Sequence, residues 1–273
     1  MSLTVKSAKA LGLESGIDLV DVEVLLCAAL EKERSFLFAW PEKELTDDQR
    51  LRFQQYLNAR IQGQPVAYIV GVREFWSLPI QTTSATLIPR PDTEVLVETV
   101  LEYFDGGSRR CIDLGTGTGA IALALQSERP AWVVEAVDRI ESAVELAKDN
   151  AVKLRLPVQC RVGSWLEDVT AQSMDIIVSN PPYIDAADEH LKQGDVRFEP
   201  KTALISDDDG LADIKVIIRQ SVSALKPGGG LFLEHGWQQA EAVRALLLQA
   251  GFANVATRRD YGGNERISFG FRC

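Results

Sequence analysis

Residues 111–125 read CIDLGTGTGAIALAL, and the architecture of the chain can be read outward from them. A short apolar run, Cys111 to Leu114, enters a turn with glycines at 115, 117 and 119, then leaves through an Ala- and Leu-rich stretch that favours helix. Strand, glycine turn and helix in this order mark the carboxyl end of a strand in an open α/β sheet, where ligands bind. Downstream the alternation continues. WVVEAVD, VQCRVG, MDIIVSN and GGLFLEHG are strand-like, and helices are predicted from Gly119, Ile140, Leu211 and Trp237. Repeated units of this kind require a parallel sheet covered on both faces. The closing pair, ANVATRRD and RISFGF, has no helix between its members, so the predicted fold is α/β, mostly parallel, with an antiparallel hairpin at one edge.

Upstream the periodicity changes. Residues 1–63 predict a small all-helical domain: DVEVLLCAALEK sets Val22, Leu25, Leu26, Ala29 and Leu30 on one stripe, and Thr46 caps a helix whose first turn is acidic. Residues 64–90 hold VAYIVGVREFW and SLPIQTTSATLI, punctuated by Gly71 and Pro79, which predicts a β-hairpin linker. The main domain then spans 91–273. It opens on LIPRPDTEVLVETVLEYF, where Pro91, Asp92 and Glu94 suit the first turn of a helix.

Composition narrows the function classes. The 273 residues are 46% hydrophobic and 25% charged with a net charge of -10, which disfavours a surface that neutralises duplex phosphates. Cys27, Cys111, Cys160 and Cys273 form no CxxC pair and are expected as buried small hydrophobes; with only His190 and His235 present, no metal site is expected. The opening segment lacks an apolar signal core, and no run reaches the roughly 18 apolar residues of a span. A cytoplasmic protein without membrane contact is expected.

The glycine turn implies a nucleotide-like cofactor, because Gly115, Gly117 and Gly119 let backbone approach a ligand and Thr116 and Thr118 lie between them. The spacing is G-x-G-x-G rather than G-x-G-x-x-G, and Asp113 precedes it, where a carboxylate repels a pyrophosphate. S-adenosylmethionine fits better, carrying both an ammonium and a sulfonium. Asp138 ends the next strand, roughly 20 residues on, the position of an acid that binds ribose hydroxyls. Trp165, after the third strand, is a candidate to stack on the adenine.

The strand MDIIVS delivers NPPY, residues 180–183, to the same rim of the sheet. Pro181 and Pro182 each fix φ and hold the preceding residue extended, so the motif is a rigid presentation device. The Asn180 side-chain oxygen and the Pro181 backbone carbonyl offer two acceptors for the two hydrogens of a planar NH2, and Tyr183 offers a flat apolar face. The expected target is an amino group on an sp2 carbon, either an amide or a nucleobase amine. A neutral Asn is no effective general base, so the surplus proton is expected to leave late, to water or a relay. Arg197 and Glu199 either shape the substrate mouth or form a loop ion pair, and His235 is expected to be structural.

DLGTGTGAIALAL, VSNPPYI, LIPRPDTE, GVREFW and GDVRFEPKTAL, in one chain behind a helical domain, resemble the bacterial release factor glutamine methyltransferases, the PrmC or HemK family. The resemblance covers nearly the whole chain from about Val20. It implies a Rossmann-like class I S-adenosylmethionine-dependent methyltransferase domain that methylates N5 of the glutamine in the Gly-Gly-Gln motif of class 1 peptide chain release factors. It also implies S-adenosylhomocysteine as the product, a role in translation termination, and contact of the helical domain and hairpin with the release factor. Gly115 to Gly119, Asp138, Trp165 and Asn180 would line the cofactor, and Asn180 to Tyr183 would hold the glutamine. Where members of that family often carry an acidic residue before the Trp, this chain has Ser164. The competing readings are a nucleobase amino methyltransferase, against which the acidic charge speaks, and a non-catalytic module on the same scaffold.

Overall fold

The computed structural model describes residues 3–273. It divides into two compact units, one running to Val72 and including Lys192–Phe198, the other comprising Arg73–Leu191 and Glu199–Cys273.

The first unit is helical: α1 (Val5–Glu14), α2 (Leu19–Leu30), α3 (Arg34–Ala39), α4 (Asp47–Ile61) and α5 (Val66–Val70). Thr4 and Thr46 close capping boxes on α1 and α4, satisfying orphan N–H groups at both starts. The predicted stripe of α2 is buried with Val5, Phe53 and Leu57. Beside it the buried Glu23 takes Lys9 and Arg34 at 2.7 Å each.

The expectation for residues 64–90 needs two corrections. VAYIV, strand-like by its β-branched residues, is the helix α5, because Val66, Ile69 and Val70 pack on the helical core and Gly71 at φ 78 ends it. The hairpin is formed by β1 (Val72–Phe75) and β2 (Leu78–Gln81), turning through Trp76 at φ 53 and Ser77 at φ 57, the left-handed pair that matches strand twist. Phe75 and Ile80 are buried in the core of the α/β unit, so this hairpin is part of that unit and no linker. A third difference is Lys192–Phe198, which joins the helical unit: Arg60 donates to Asp21 at 2.8 Å and to Asp195 at 3.0 Å. Of the cysteines only Cys111 is buried; Cys27 and Cys160 are half-buried and Cys273 is exposed.

The second unit is built on seven strands, β3 (Arg110–Leu114), β4 (Val133–Asp138), β5 (Gln159–Val162), β6 (Met174–Ser179), β7 (Leu225–Glu234), β8 (Phe252–Arg259) and β9 (Glu265–Arg272), in the order β5-β4-β3-β6-β7-β9-β8. Pairing is parallel from β5 through β7, and β9 is antiparallel to both its neighbours, as predicted. Helices α6 (Glu94–Tyr103), α7 (Ala120–Glu128), α8 (Glu141–Leu154), Ala212–Ala224 and Ala240–Gln249 supply the apolar partners of the sheet. Strand alternation sorts the core into two layers: Cys111, Ile176 and Val178 join one, Ile112, Leu114 and Ile177 the other.

Candidate active site

From β3 the chain runs outward to β4 and β5, then returns to β6 on the other side of β3, which makes β3 and β6 the switch point where α/β sheets bind ligands. Leu114 is level with Ser179, and the Ser179 hydroxyl donates to the Leu114 carbonyl at 2.7 Å. Gly115 and Asn180 therefore leave the sheet side by side. A cleft open to solvent lies there, walled by Gly115 to Thr118, Asp138, Ser164, Trp165, Asn180 and Pro182, together with Arg90 and Thr93.

On the expected cofactor side, Gly115 and Gly117 have φ of 68 and 54, conformations that favour glycine. A Cβ on Gly115 would stand 3.3 Å from Cζ3 of Trp165, so backbone and indole form one surface. Both Asp138 oxygens accept backbone N–H groups, from Gly117 and Ile140 at 2.9 Å each, and each keeps a lone pair for a further donor. The Ser164 hydroxyl donates to Glu167 at 3.2 Å.

Two expected cofactor residues lie off the cleft wall. Gly119, at φ 83, faces packing rather than ligand: a Cβ there would stand 3.2 Å from Cβ of Ala147, where α7 meets α8. Asp113 is fully buried, and its Oδ2 accepts the Thr116 hydroxyl at 2.6 Å, so it holds the turn from behind. Its Oδ1 has no partner among the described residues, and burial raises the carboxyl to about 7 against the pull of the Thr116 bond.

On the acceptor side, Pro181 and Pro182 are buried, and the Asn180 amide Nδ2 donates to the Thr93 hydroxyl at 3.3 Å. Tyr183 is off the wall; its hydroxyl donates to Glu234 Oε1 at 3.3 Å and its ring packs in the second core layer. Burial, first, and the Glu234 charge push its phenol well above its ordinary value. The motif is pinned beyond its prolines: Ile184 N–H donates to Leu204 O at 2.9 Å, Ser206 N–H to Ile184 O at 3.0 Å, and Gln239 Nε2 to Tyr183 O at 3.0 Å.

Arg197 and Glu199 do not pair with each other. Glu199 is buried and accepts Arg90 at 2.7 and 2.8 Å, clamping the PRPDT loop, while Arg197 lies 4.9 Å over the Phe198 ring. His235 is structural as expected: buried, it donates from Nδ1 to Gly236 O at 2.9 Å and accepts the Ser268 hydroxyl at Nε2 at 2.7 Å, and burial lowers it to about 4.

Thr93 and Glu234 were not legible as site residues. Glu234 ends an apolar strand, as Asp138 does, and that placement is the signal that could have found it. Among the described residues no group of three or more His, Cys, Asp or Glu could hold a metal, and no helix is long and apolar enough to cross a membrane.

Comparison with known proteins bears on the fold and the family. Residues 91–198 match the methyltransferase small domain and residues 7–71 the PrmC N-terminal domain. A solved methyltransferase from Pyrococcus furiosus, 19% identical, superposes with a TM-score of 0.55 over 71% of this chain and 89% of its own, which shows the shared fold. The release factor glutamine methyltransferase of Shewanella oneidensis is 54% identical over 92% of this chain and 88% of its own length. Those of Escherichia coli K12 and Pseudomonas aeruginosa are each 52% identical over 92% of this chain and 91% of their own. With such identity sustained through both the helical unit and the α/β unit, the chain belongs to the family of release factor glutamine methyltransferases.

Proposed function

We propose that this protein transfers the methyl group of S-adenosylmethionine to N5 of the glutamine in the Gly-Gly-Gln motif of class 1 peptide chain release factors, leaving S-adenosylhomocysteine, in the cytoplasm and without holding nucleic acid itself. The observation that carries the reading is the emergence of a glycine turn and an Asn-Pro-Pro-Tyr motif side by side at the switch point of the sheet. Bound in the cleft, the cofactor supplies a methyl already activated by its sulfonium.

The residues present fit that group. Gly115 and Gly117 allow close backbone approach, Asp138 retains lone pairs for two ribose hydroxyls, and Trp165 offers a flat face beside Gly115. Asp113 lies buried behind the turn with its carboxyl raised to about 7, so a cationic ligand in the cleft would favour its ionised form without touching it. On the other side the Asn180 side-chain oxygen and Pro181 carbonyl accept the two amide hydrogens of the glutamine. Its lone pair, delocalised in the free amide, is then aligned toward the methyl carbon, and proximity contributes much of the acceleration. Neither Asn180 nor the Pro181 carbonyl is a base, so the surplus proton of the methylated nitrogen would leave late, to water or a relay. Pro182 and Tyr183 hold the loop.

The test is mass spectrometry of a class 1 release factor after incubation with the protein and S-adenosylmethionine. One methyl on the Gly-Gly-Gln glutamine, lost in Asn180→Ala at wild-type stability, is expected. An unmodified release factor despite measured cofactor binding would sink the reading and turn attention to nucleobase amines.

A further inference from the structure

Accepting a planar NH2 requires the oxygen end of the Asn180 side chain to face the substrate, yet an amide presents an oxygen on one side and a donor on the other. Turned around, it would set donor against donor. In this structure Asn180 is oriented by Nδ2 donating to Thr93 Oγ1 at 3.3 Å. A hydroxyl, however, donates as readily as it accepts, so Thr93 fixes the amide only if its own proton is engaged elsewhere.

Glu234 is the group available to engage it. β7 lies beside β6, with Ser179 level with Leu233, so Glu234 reaches the rim beside Asn180. Thr93 and Glu234 are 4% and 2% exposed, so both polar side chains are buried at this rim. Glu234 Oε1 takes the Tyr183 hydroxyl at 3.3 Å, and Oε2 has no partner among the described residues. We propose that Glu234, through the Thr93 hydroxyl, is a positioning residue that sets the direction of the Asn180 amide and thereby the acceptor geometry for the substrate nitrogen. The proposal rests on the methyl-transfer reading above.

Ionised, Glu234 accepts the Thr93 proton and leaves Thr93 only its lone pairs to offer Asn180. Protonated, Glu234 can donate to Thr93, releasing that hydroxyl to donate to Asn180 Oδ1 and turn the amide. Burial, helped by Asp92, raises this carboxyl to about 7 against the pull of Thr93, Arg266 and Tyr183. These come from the loop before α6, from β9 and from the acceptor loop, and all face the same carboxyl.

The experiment measures single-turnover methylation of a release factor between pH 5.5 and 8.5, with S-adenosylhomocysteine affinity and denaturant stability taken on the same samples. Wild type is expected to lose rate as pH falls through about 7. Glu234→Gln and Thr93→Val are expected to be slower by about tenfold at pH 8, equivalent to one weakened contact in the transition state, and flat with pH. Thr93→Ser restores both rate and pH dependence, and cofactor affinity holds throughout. Wild-type rates in Thr93→Val overturn the relay. So does a pH step that persists in Thr93→Val and vanishes only in Glu234→Gln, which would make Glu234 act on the reacting proton directly. Loss of cofactor affinity in parallel with rate would reduce both residues to general support. Absence of methylation by the wild type would instead sink the underlying function.

Discussion

Replacing Gly115 by alanine separates ligand approach from backbone strain, because Gly71 supplies a matched control. Both glycines are left-handed, at φ 68 and 78, so alanine at either costs about 1–2 kcal/mol of stability for the conformation alone. They differ in what the new methyl meets. At Gly71 nothing lies within 4 Å; at Gly115 the Cβ stands 3.3 and 3.6 Å from Cζ3 and Cη2 of Trp165, on the wall of the cleft. Gly115→Ala should therefore lose about tenfold or more in S-adenosylhomocysteine affinity, at least about 1.4 kcal/mol, whereas Gly71→Ala binds as wild type. Titration calorimetry and urea denaturation read the two quantities on one preparation. Equal stability losses with unchanged affinity in Gly115→Ala would refute the assignment of this turn as a ligand cradle.

Asp138→Ala removes the acceptor of two backbone N–H groups as well as the carboxylate proposed to bind the ribose; cofactor affinity should fall by about 1.5–3 kcal/mol, read by calorimetry. Arg90→Ala strips the buried Glu199 of its guanidinium and should cost about 3 kcal/mol in urea denaturation, the low end for a broken buried pair because Arg90 is 35% exposed; adding Glu199→Gln should recover part of it. His235 is held neutral with its pKa lowered from 6.5 to about 4, so its contribution is present above 6.5 and is lost as pH falls toward 4, on the order of 3 kcal/mol in all. Asp113 and Glu234, raised to about 7, drift in the opposite sense. The comparison is therefore with His235→Gln, whose stability should start lower at pH 7.5 and converge on wild type near pH 4.5; parallel curves would contradict the assignment.

The strands that build the site were legible because each is an apolar run ending in a chemically distinctive residue. What one-dimensional pattern does not convey is the face. Asp113 and Asp138 look alike in sequence, yet Asp113 lies one residue inside β3, buried under α7, while Asp138 ends β4 and turns with the chain into the cleft. VAYIV was misjudged because β-branched residues suit strand and helix alike once a core claims them. Thr93 was hidden inside a stretch that reads as a helix start, and Glu234 stood next to a histidine that drew attention for its chemistry. The membership of Lys192–Phe198 depends on contacts across more than a hundred residues, such as Arg60 with Asp195, and no local signal announces it.

That last segment bears on synthesis. Domains generally form in the order in which they leave the ribosome, and the buried residues of the helical core, Val5 to Leu57, have all been made once α4 has emerged. Here the Arg60 guanidinium gains its Asp195 partner after the nascent chain has already made β3 to β6 and the acceptor motif. The amino-terminal unit is thus finished by a piece made late, and a chain stalled or cut before Phe198 would carry both a helical unit lacking its last segment and an α/β unit lacking β7, β8 and β9.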